Sequence, residues 1–226
     1  MALSYFHFYS ELAKRVSEVG SFCPSSKDLA RLMVEPGRLT PGPRRILEVG
    51  PGTGPITREV LRMMGPDDTF TICEINSNLL RRLKEALQKD EYYCKHSGRV
   101  IFYEGPAQDL PKAYPNSTFN VIICSLPFSN FLPEVTEEIM TGLHDMLDEG
   151  GRFSFFEYWG MRRIGRLLSS PKQKERLHAV DSVLNKWCYA AYQRGIVRTK
   201  VSFLNLPPAK AFQFFYDTDA EASWQM

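Results

Sequence analysis

Cysteine is scarce in this sequence of 226 residues, and the five cysteines are scattered along the chain. They stand at positions 23, 73, 94, 124 and 188, so no pair has the spacing of metal ligands. An odd number of isolated cysteines is typical of reduced thiols in the cytoplasm rather than of a secreted disulfide framework. We therefore expect no structural metal.

Long apolar runs are also absent. No stretch approaches the roughly 18 residues that cross a bilayer, and the start of the chain lacks the basic-then-apolar pattern of a signal peptide. Contact with a membrane is thus expected only at its surface. Neither sign of charge dominates, because 28 Lys and Arg against 26 Asp and Glu give a formal net charge of +2. Any function that needs basic residues must be local.

What the sequence does contain is an alternation of apolar, β-prone runs with helical patterns from residue 44 onward. This alternation predicts parallel strands joined by crossover helices. The predicted strands are 45–49, 69–73, 100–103, 121–125 and 152–158, followed by a hairpin of 197–206 and 211–216. The predicted helices are 56–64, 78–89, 135–147 and 172–194, and we expect Gly150-Gly151 to end the third of them.

Two further helices are predicted ahead of the sheet. They cover residues 3–19 and 27–34, and Ser25 or Ser26 is the expected N-cap of the second. The segment 35–43, rich in Pro and Gly, is the one candidate linker. We therefore divide the chain into N-terminal helices at 1–43, which would cap a substrate or contact a membrane, and a main domain at 44–226.

A glycine-rich turn follows the first strand, with the sequence Glu48-Val49-Gly50-Pro51-Gly52-Thr53-Gly54. Glycines let the backbone approach a ligand, and the helix after the turn points its N–H groups at the same crevice. Glu74 lies twenty positions after Gly54, just beyond the second strand, where a carboxylate can bind ribose hydroxyls. A dinucleotide site is the alternative, but its fingerprint is G-x-G-x-x-G and this turn is G-x-G-x-G.

The turn, together with Cys73-Glu74-Ile75-Asn76, resembles the first two motifs of class I S-adenosylmethionine-dependent methyltransferases. The resemblance implies an α/β fold, a Rossmann-like seven-stranded mostly parallel sheet with helices on both faces and an antiparallel last strand. It places Glu48 near the methionine amino group, Glu74 on the ribose and the segment after the third strand on the adenine. The cofactor residues it implies are Glu48, Gly50, Gly52, Thr53, Gly54, Glu74, Ile75, Ala107, Gln108, Ser125 and Ser26.

One position departs from the family pattern. Where many members carry Gly-Asp-Ala with the Asp on the adenine amine, this sequence has Gly105-Pro106-Ala107. Pro106 offers neither a carboxylate nor an N–H. The Ala107 backbone and the Gln108 side chain are the best substitutes for the missing contact.

The fourth strand is followed by Ser125-Leu126-Pro127-Phe128, at the carboxyl edge where open parallel sheets bind ligands. The tetrapeptide resembles the N-P-P-Y or N-L-P-F/Y motif of enzymes that methylate exocyclic amines. Ser125 replaces the Asn, which disfavours a flat nucleobase. An aliphatic amine can still donate hydrogen bonds to Ser125 Oγ and to the Leu126 carbonyl.

Together with that turn, the segments 20–31 and 205–209 resemble bacterial phosphatidylethanolamine N-methyltransferases of the soluble, peripheral type. The resemblance implies transfer of methyl groups to phosphatidylethanolamine and its mono- and dimethylated forms at the inner face of the cell membrane. Ser125, Leu126, Phe128, Tyr9 and Tyr158 are the candidate catalytic residues, with Glu157 as a further contact. Arg162, Arg163 and Arg166 are candidates for binding the lipid phosphate.

The alternative function is methylation of an rRNA adenine at N6, because those enzymes have a similar glycine turn and N-L-P-F/Y element. The Ser125 departure, the weak net charge and the expectation that no helical RNA-binding domain follows the last strand all disfavour it. The predicted partners are a phospholipid substrate and an anionic membrane surface, with no nucleic acid and no protein partner. The helix at 3–19 carries Phe8 and Leu12 at helical spacing beside Lys14 and Arg15, which suits that surface.

Overall fold

The computed structural model describes residues 25–158 and 171–216. The strands are β1 (Arg45–Val49), β2 (Thr69–Glu74), β3 (Val100–Glu104), β4 (Phe119–Cys124), β5 (Leu147–Tyr158), β6 (Ile196–Ser202) and β7 (Ala209–Phe215). The helices are α1 (Lys27–Arg38), α2 (Pro55–Met63), α3 (Ser77–Leu87), α4 (Glu91–His96), α5 (Leu110–Ala113), α6 (Pro133–Asp145) and α7 (Pro171–Arg194). The sequence did not predict α4 or α5.

The described strands form one seven-stranded sheet in the order β3-β2-β1-β4-β5-β7-β6. Strands β1 to β5 pair in parallel, and β7 pairs antiparallel with both β5 and β6. The carboxyl ends of β1 to β5 therefore lie at one edge of the sheet, and β6 ends at the same edge. The predicted fold class, with its antiparallel last strand, is confirmed.

Both faces of the sheet are buried, because neighbouring residues of a strand point to opposite sides. Ile46 belongs to the hydrophobic core under α1, α2 and α3, whereas Leu47 belongs to the core under α5, α6 and α7. Helix α1 contributes Leu29 and Met33 to the first core with no exposed surface. This helix packs on the sheet, while the predicted division of the chain at residues 43 and 44 stays a prediction.

Helix α1 extends beyond the predicted residues 27–34, so the first part of the candidate linker 35–43 is helical. Pro36 lies inside it. Proline has no N–H and leaves the Leu32 carbonyl without its helical donor. Gln213 on β7 supplies that donor, because its Nε2 lies 2.7 Å from the Leu32 oxygen. A contact across 181 positions thus stabilises a segment whose local composition predicts a break.

Strand β5 begins earlier than predicted. Helix α6 ends at Asp145, and Gly150-Gly151 lies inside the strand instead of ending the helix, so that prediction was wrong. The pairing with β4 shifts register between Phe119 and Val121, and Gly150 adopts a φ of +71°. The glycines therefore accommodate an irregular strand, a role that local sequence does not distinguish from a helix stop.

No helix in the described part of the chain is both long enough and apolar enough to cross a membrane.

Candidate functional site

The turn between β1 and α2 is shaped by three glycines at positive φ. Gly50, Gly52 and Gly54 have φ values of +73°, +57° and +83°, which L side chains rarely adopt. A hydrogen bond of 2.9 Å from the Gly50 N–H to the Cys73 carbonyl ties the turn to β2. The backbone conformation therefore requires glycine at each of these positions.

The surroundings of the three glycines differ. A Cβ on Gly50 would lie 2.8 Å from Leu126 Cδ2, and a Cβ on Gly54 would overlap Leu83 Cδ1. At Gly52 an added Cβ would meet no atom within 4 Å. The turn is thus packed at its two ends and open in the middle, as a backbone that faces a ligand should be.

Glu74 ends β2 beside this turn and is only 7% exposed. Its Oε1 accepts a hydrogen bond of 2.9 Å from the Asn76 N–H, and the backbone N–H groups of Gly52 and Ile75 also stabilise the carboxylate. Burial nevertheless raises the pKa of Glu74 above its usual value. The carboxylate is thus held in one place, within reach of the open middle of the turn.

Glu48 is completely buried beneath the turn. Its Oε2 accepts a hydrogen bond of 2.8 Å from Thr57 Oγ1, whereas its Oε1 has no partner in the described part of the chain. Burial, with a smaller contribution from the charge of Glu74, raises the pKa of Glu48 to about 8. A buried oxygen without a donor favours a ligand that brings one, such as an ammonium group.

An apolar cleft lies over these groups at the carboxyl edge. Its lining includes Ile75, Ala107, Gln108, Leu126 and Phe131. The β3 side of the cleft is fixed by a hydrogen bond of 3.1 Å from the Gly105 N–H to the Glu74 carbonyl. An apolar slot next to a buried carboxylate suits a flat ring joined to a hydroxylated sugar.

Comparison with known proteins agrees with this geometry. Residues 46–151 match the family model described as a methyltransferase domain. This match covers just under half of the chain, and together with the fold it supports a methyltransferase domain of the class I S-adenosylmethionine-dependent type.

Two curated relatives of the chain are both named ubiquinone/menaquinone biosynthesis C-methyltransferase UbiE. The one from Pseudomonas paraeruginosa is 27% identical over 163 residues, which cover 66% of this chain and 60% of that protein. The one from Methylobacterium nodulans is 29% identical over 116 residues, 51% of this chain and 42% of that protein. The chain thus spans at most about three fifths of these relatives.

Among solved structures, the chain is similar to the O-methyltransferase from Bacillus cereus in complex with SAH. The TM-score is 0.61 at 14% identity, and the match covers 90% of this chain and 88% of that one. At this identity the likeness shows the shared fold alone.

The residues of the cleft fit S-adenosylmethionine. The open backbone at Gly52 leaves room for the ligand, and Glu74 offers a fixed carboxylate for the ribose hydroxyls. The unpartnered Oε1 of Glu48 can accept from the methionine ammonium, and Ile75 and Ala107 provide apolar walls for the adenine. These assignments of single residues remain predictions.

The predicted acceptor turn, residues 125–128, adjoins this site. The Ser125 N–H donates to the Val49 carbonyl at 2.8 Å, which joins the end of β4 to the start of the glycine turn. Ser125 Oγ is buried without a hydrogen-bond partner among the described residues. The Leu126 carbonyl accepts the Phe128 N–H at 3.0 Å and has a second lone pair available.

The Phe128 ring is 3% exposed and belongs to the hydrophobic core. It packs against Phe131 and Phe155, with ring centroids 6.1 and 6.3 Å away. Phe128 therefore supports the acceptor turn from below, and its direct contact with a substrate stays a prediction.

The structure places the other candidates of β5 near the same edge. Tyr158 ends the strand, half-buried, with its ring edge-to-face against Phe156 at 5.4 Å. Glu157 lies opposite Lys210 of β7. Contact of either residue with a substrate stays a prediction.

Two predicted cofactor residues lie apart from the others. Ser26 does not belong to the described lining of the cleft. It is the N-cap of α1, and its Oγ accepts a hydrogen bond from the Leu29 N–H at 3.1 Å. The predicted cap is thus confirmed, while the predicted cofactor contact has no support from the cleft. Thr53 is exposed on the glycine turn, where its carbonyl accepts from Arg58.

Several predictions concern residues outside the described ranges. These are the candidate catalytic residue Tyr9, the phosphate candidates Arg162, Arg163 and Arg166, and the helix at 3–19. They stay predictions.

Sequence reasoning missed three residues of the site. Thr57 holds the Glu48 carboxylate, and Phe131 and Ile139 line the cleft. Thr57 carries a usable signal, because it stands in the first turn of the helix after the glycines. Ile139 lies in the later helix α6, and Phe131 lies just before that helix. No local sequence pattern separates such a lining residue from a core residue.

Proposed function

We propose that this chain transfers methyl groups from S-adenosylmethionine to the amine of phosphatidylethanolamine and its partly methylated forms, at the inner face of the cell membrane. The observation that carries the proposal is the buried Ser125 Oγ, which has no described partner and lies on the turn next to the glycine turn. Such an oxygen at the acceptor side of the site favours a substrate that brings a hydrogen-bond donor.

An amine suits this turn chemically. The Ser125 hydroxyl and the Leu126 carbonyl both offer lone pairs, and a primary or secondary amine has N–H groups to donate to them. Two such contacts would orient the nitrogen lone pair, and methyl transfer gains most from a correct approach of the nucleophile. S-adenosylmethionine supplies the activated methyl group when bound.

The acceptor turn also lies against the cofactor site. Leu126 lines the cleft, and its Cδ2 would contact any Cβ placed on Gly50. An acceptor held at residues 125–128 is therefore adjacent to a cofactor held on the glycine turn, which is the proximity that group transfer needs.

C-methylation is the second candidate, because the curated relatives in Pseudomonas and Methylobacterium are named as quinone-pathway C-methyltransferases. A ring carbon has no N–H of its own, but a quinol hydroxyl beside it could donate to Ser125 Oγ. The identity of the labelled product therefore separates the two candidates.

The test is to incubate the full chain with labelled S-adenosylmethionine and, separately, vesicles containing phosphatidylethanolamine, a demethylated quinol, or ribosomal subunits, and to identify the labelled product. We expect mono-, di- or trimethylated aminolipid. A labelled quinol would establish the second candidate, and labelled adenine in rRNA would establish the nucleic-acid alternative.

Ser125→Ala refines the assay. At saturating cofactor it should lower aminolipid turnover about 2- to 12-fold, the value of one hydrogen bond of roughly 0.5–1.5 kcal/mol. Ser117→Ala is the matched control, because Ser117 is exposed in the loop before β4. Equal rates for the two variants would contradict the role given to Ser125.

A further inference from the structure

The connection between β6 and β7, residues 203–208, lies at the same edge of the sheet as the proposed site. Strand β6 ends at Ser202 and β7 begins at Ala209, and these two residues face each other across the hairpin. Ala209 also pairs with Tyr158, the last residue of β5. The tip of the hairpin is therefore beyond the carboxyl ends of the parallel strands, where the acceptor must enter.

The tip is apolar and turned to solvent. Phe203, Leu204 and Leu206 are 68%, 80% and 74% exposed, and residues 203–208 contain no charged side chain. Single exposed apolar residues are common on protein surfaces, but three within four positions of one turn form a patch that marks an interaction site.

The polar residue of the tip is turned inward. Asn205 is 1% exposed, its Oδ1 accepts from the Ser26 N–H at 2.8 Å, and its Nδ2 donates to the Pro207 carbonyl at 2.8 Å. An ordinary hairpin turn shows the opposite arrangement, with polar groups in water. Because Asn205 anchors the backbone to the start of α1, its apolar neighbours are held outward.

Two lysines lie one position away from residues that anchor or follow this tip. Lys27 is exposed next to Ser26, the residue that Asn205 binds. Lys210 follows on β7, with its Nζ 4.7 Å from the centre of the Phe212 ring. An exposed apolar tip with lysines nearby in the chain suits a fluid anionic bilayer, since apolar side chains enter the acyl boundary while cations remain among the headgroups.

We propose that residues 203–206 insert into an anionic membrane surface and so bring the acceptor edge of the sheet to the lipid. The choice of a lipid partner rests on the proposed function. The insertion itself depends only on the apolar tip and the adjacent lysines, so it can be measured without methyl transfer.

The experiment is flotation of the full chain, without cofactor, on vesicles of phosphatidylcholine and phosphatidylglycerol, which contain no amine acceptor for the enzyme. Leu204→Ser combined with Leu206→Ser should lower the bound fraction at limiting lipid on the order of tenfold. The control pair is Tyr189→Ser with Tyr192→Ser on α7, where the native side chains are 66% and 68% exposed. We expect the control to bind as the unaltered chain does.

A difference of less than threefold between the two variants would overturn the inference. It would also fall if light scattering showed a dimer that the leucine variant dissociates, because the tip would then bind a second copy. If no aminolipid is methylated but the leucine variant still loses vesicle binding, the inserted tip stands and the proposed function falls. If aminolipid is methylated and the leucine variant binds vesicles as the unaltered chain does, the proposed function stands and the inserted tip falls.

Discussion

The cofactor half of the sheet, β1 to β3, is built from neighbours in sequence, whereas the acceptor half, β4 to β7, is built from residues far apart. Gly50, Gly54 and Glu74 lie within 25 positions of one another and are placed by one turn and one strand. The acceptor edge instead joins Ser26 to Asn205, 179 positions away. The cofactor half is thus specified by local backbone geometry and the acceptor half by tertiary packing.

The largest expected effect removes the support of the acceptor turn. Phe128→Ala should lower the free energy of unfolding by about 3–5 kcal/mol, because it opens a cavity between Phe131 and Phe155. Urea denaturation measures this change in the free energy of unfolding. Phe203→Ala is the matched control and should change stability by no more than about 0.5 kcal/mol, since Phe203 is 68% exposed.

Equal losses of unfolding free energy in Phe128→Ala and Phe203→Ala would show that the ring of Phe128 does not hold the acceptor turn. If Phe128→Ala is too unstable to purify, Phe128→Leu should show a smaller loss in the same direction.

The next effect tests whether the two halves are coupled. Gly50→Ala forces a φ of +73° on a residue with a Cβ, which costs about 1–3 kcal/mol, and it pushes against Leu126 of the acceptor turn. We expect weaker cofactor binding and lower turnover together, by calorimetry and by methyl-transfer assay.

Gly98→Ala is the control for Gly50, because a Cβ there meets no atom within 4 Å and the backbone is not at positive φ. It should leave both measurements unchanged. Loss of binding with full turnover at saturating cofactor in Gly50→Ala would break the proposed coupling.

The smallest effect, taken per pH unit, concerns Glu48. Between about pH 4.5 and pH 8 the folded protein keeps a proton on Glu48 that the unfolded chain releases, so the unfolded state binds fewer protons. The cofactor-free protein should therefore lose stability as the pH rises through this window, by at most about 1.4 kcal/mol per pH unit from this group.

Urea denaturation at several pH values measures this slope. Glu48→Gln should flatten it and Glu104→Gln, an exposed residue opposite Glu74 on β3, should not. A slope that is unchanged in Glu48→Gln would mean that another group carries the proton.

Most of the fold could be predicted from the sequence, because the alternation of strand and helix patterns and the glycine-rich turn are local signals. The bounds of β1 match the prediction, and Glu74 lies where its spacing from the turn places it. The helix through Pro36 could not be predicted, since it depends on Gln213. Nor could the buried Asn205, which local composition marks as an ordinary turn residue.

The candidate site, too, could be predicted from the sequence only in part. Glycines at positive φ and a carboxylate at the end of the next strand have a spacing that can be recognised without a structure. The cleft lining from Phe131 and Ile139 arises only when α6 packs over the sheet. Sequence reasoning therefore reaches the cofactor more readily than the acceptor.

The most direct test of the central claim is calorimetric titration of S-adenosylmethionine into the full chain and into two glutamate variants. Glu74→Ala should weaken binding by about 1.5–3 kcal/mol, roughly 10- to 150-fold, because the ribose hydroxyls lose a charged acceptor. Glu104→Ala, which changes the neighbouring exposed glutamate, should bind as the unaltered chain does. Unchanged affinity in folded Glu74→Ala would contradict the assignment of the cofactor to this edge of the sheet.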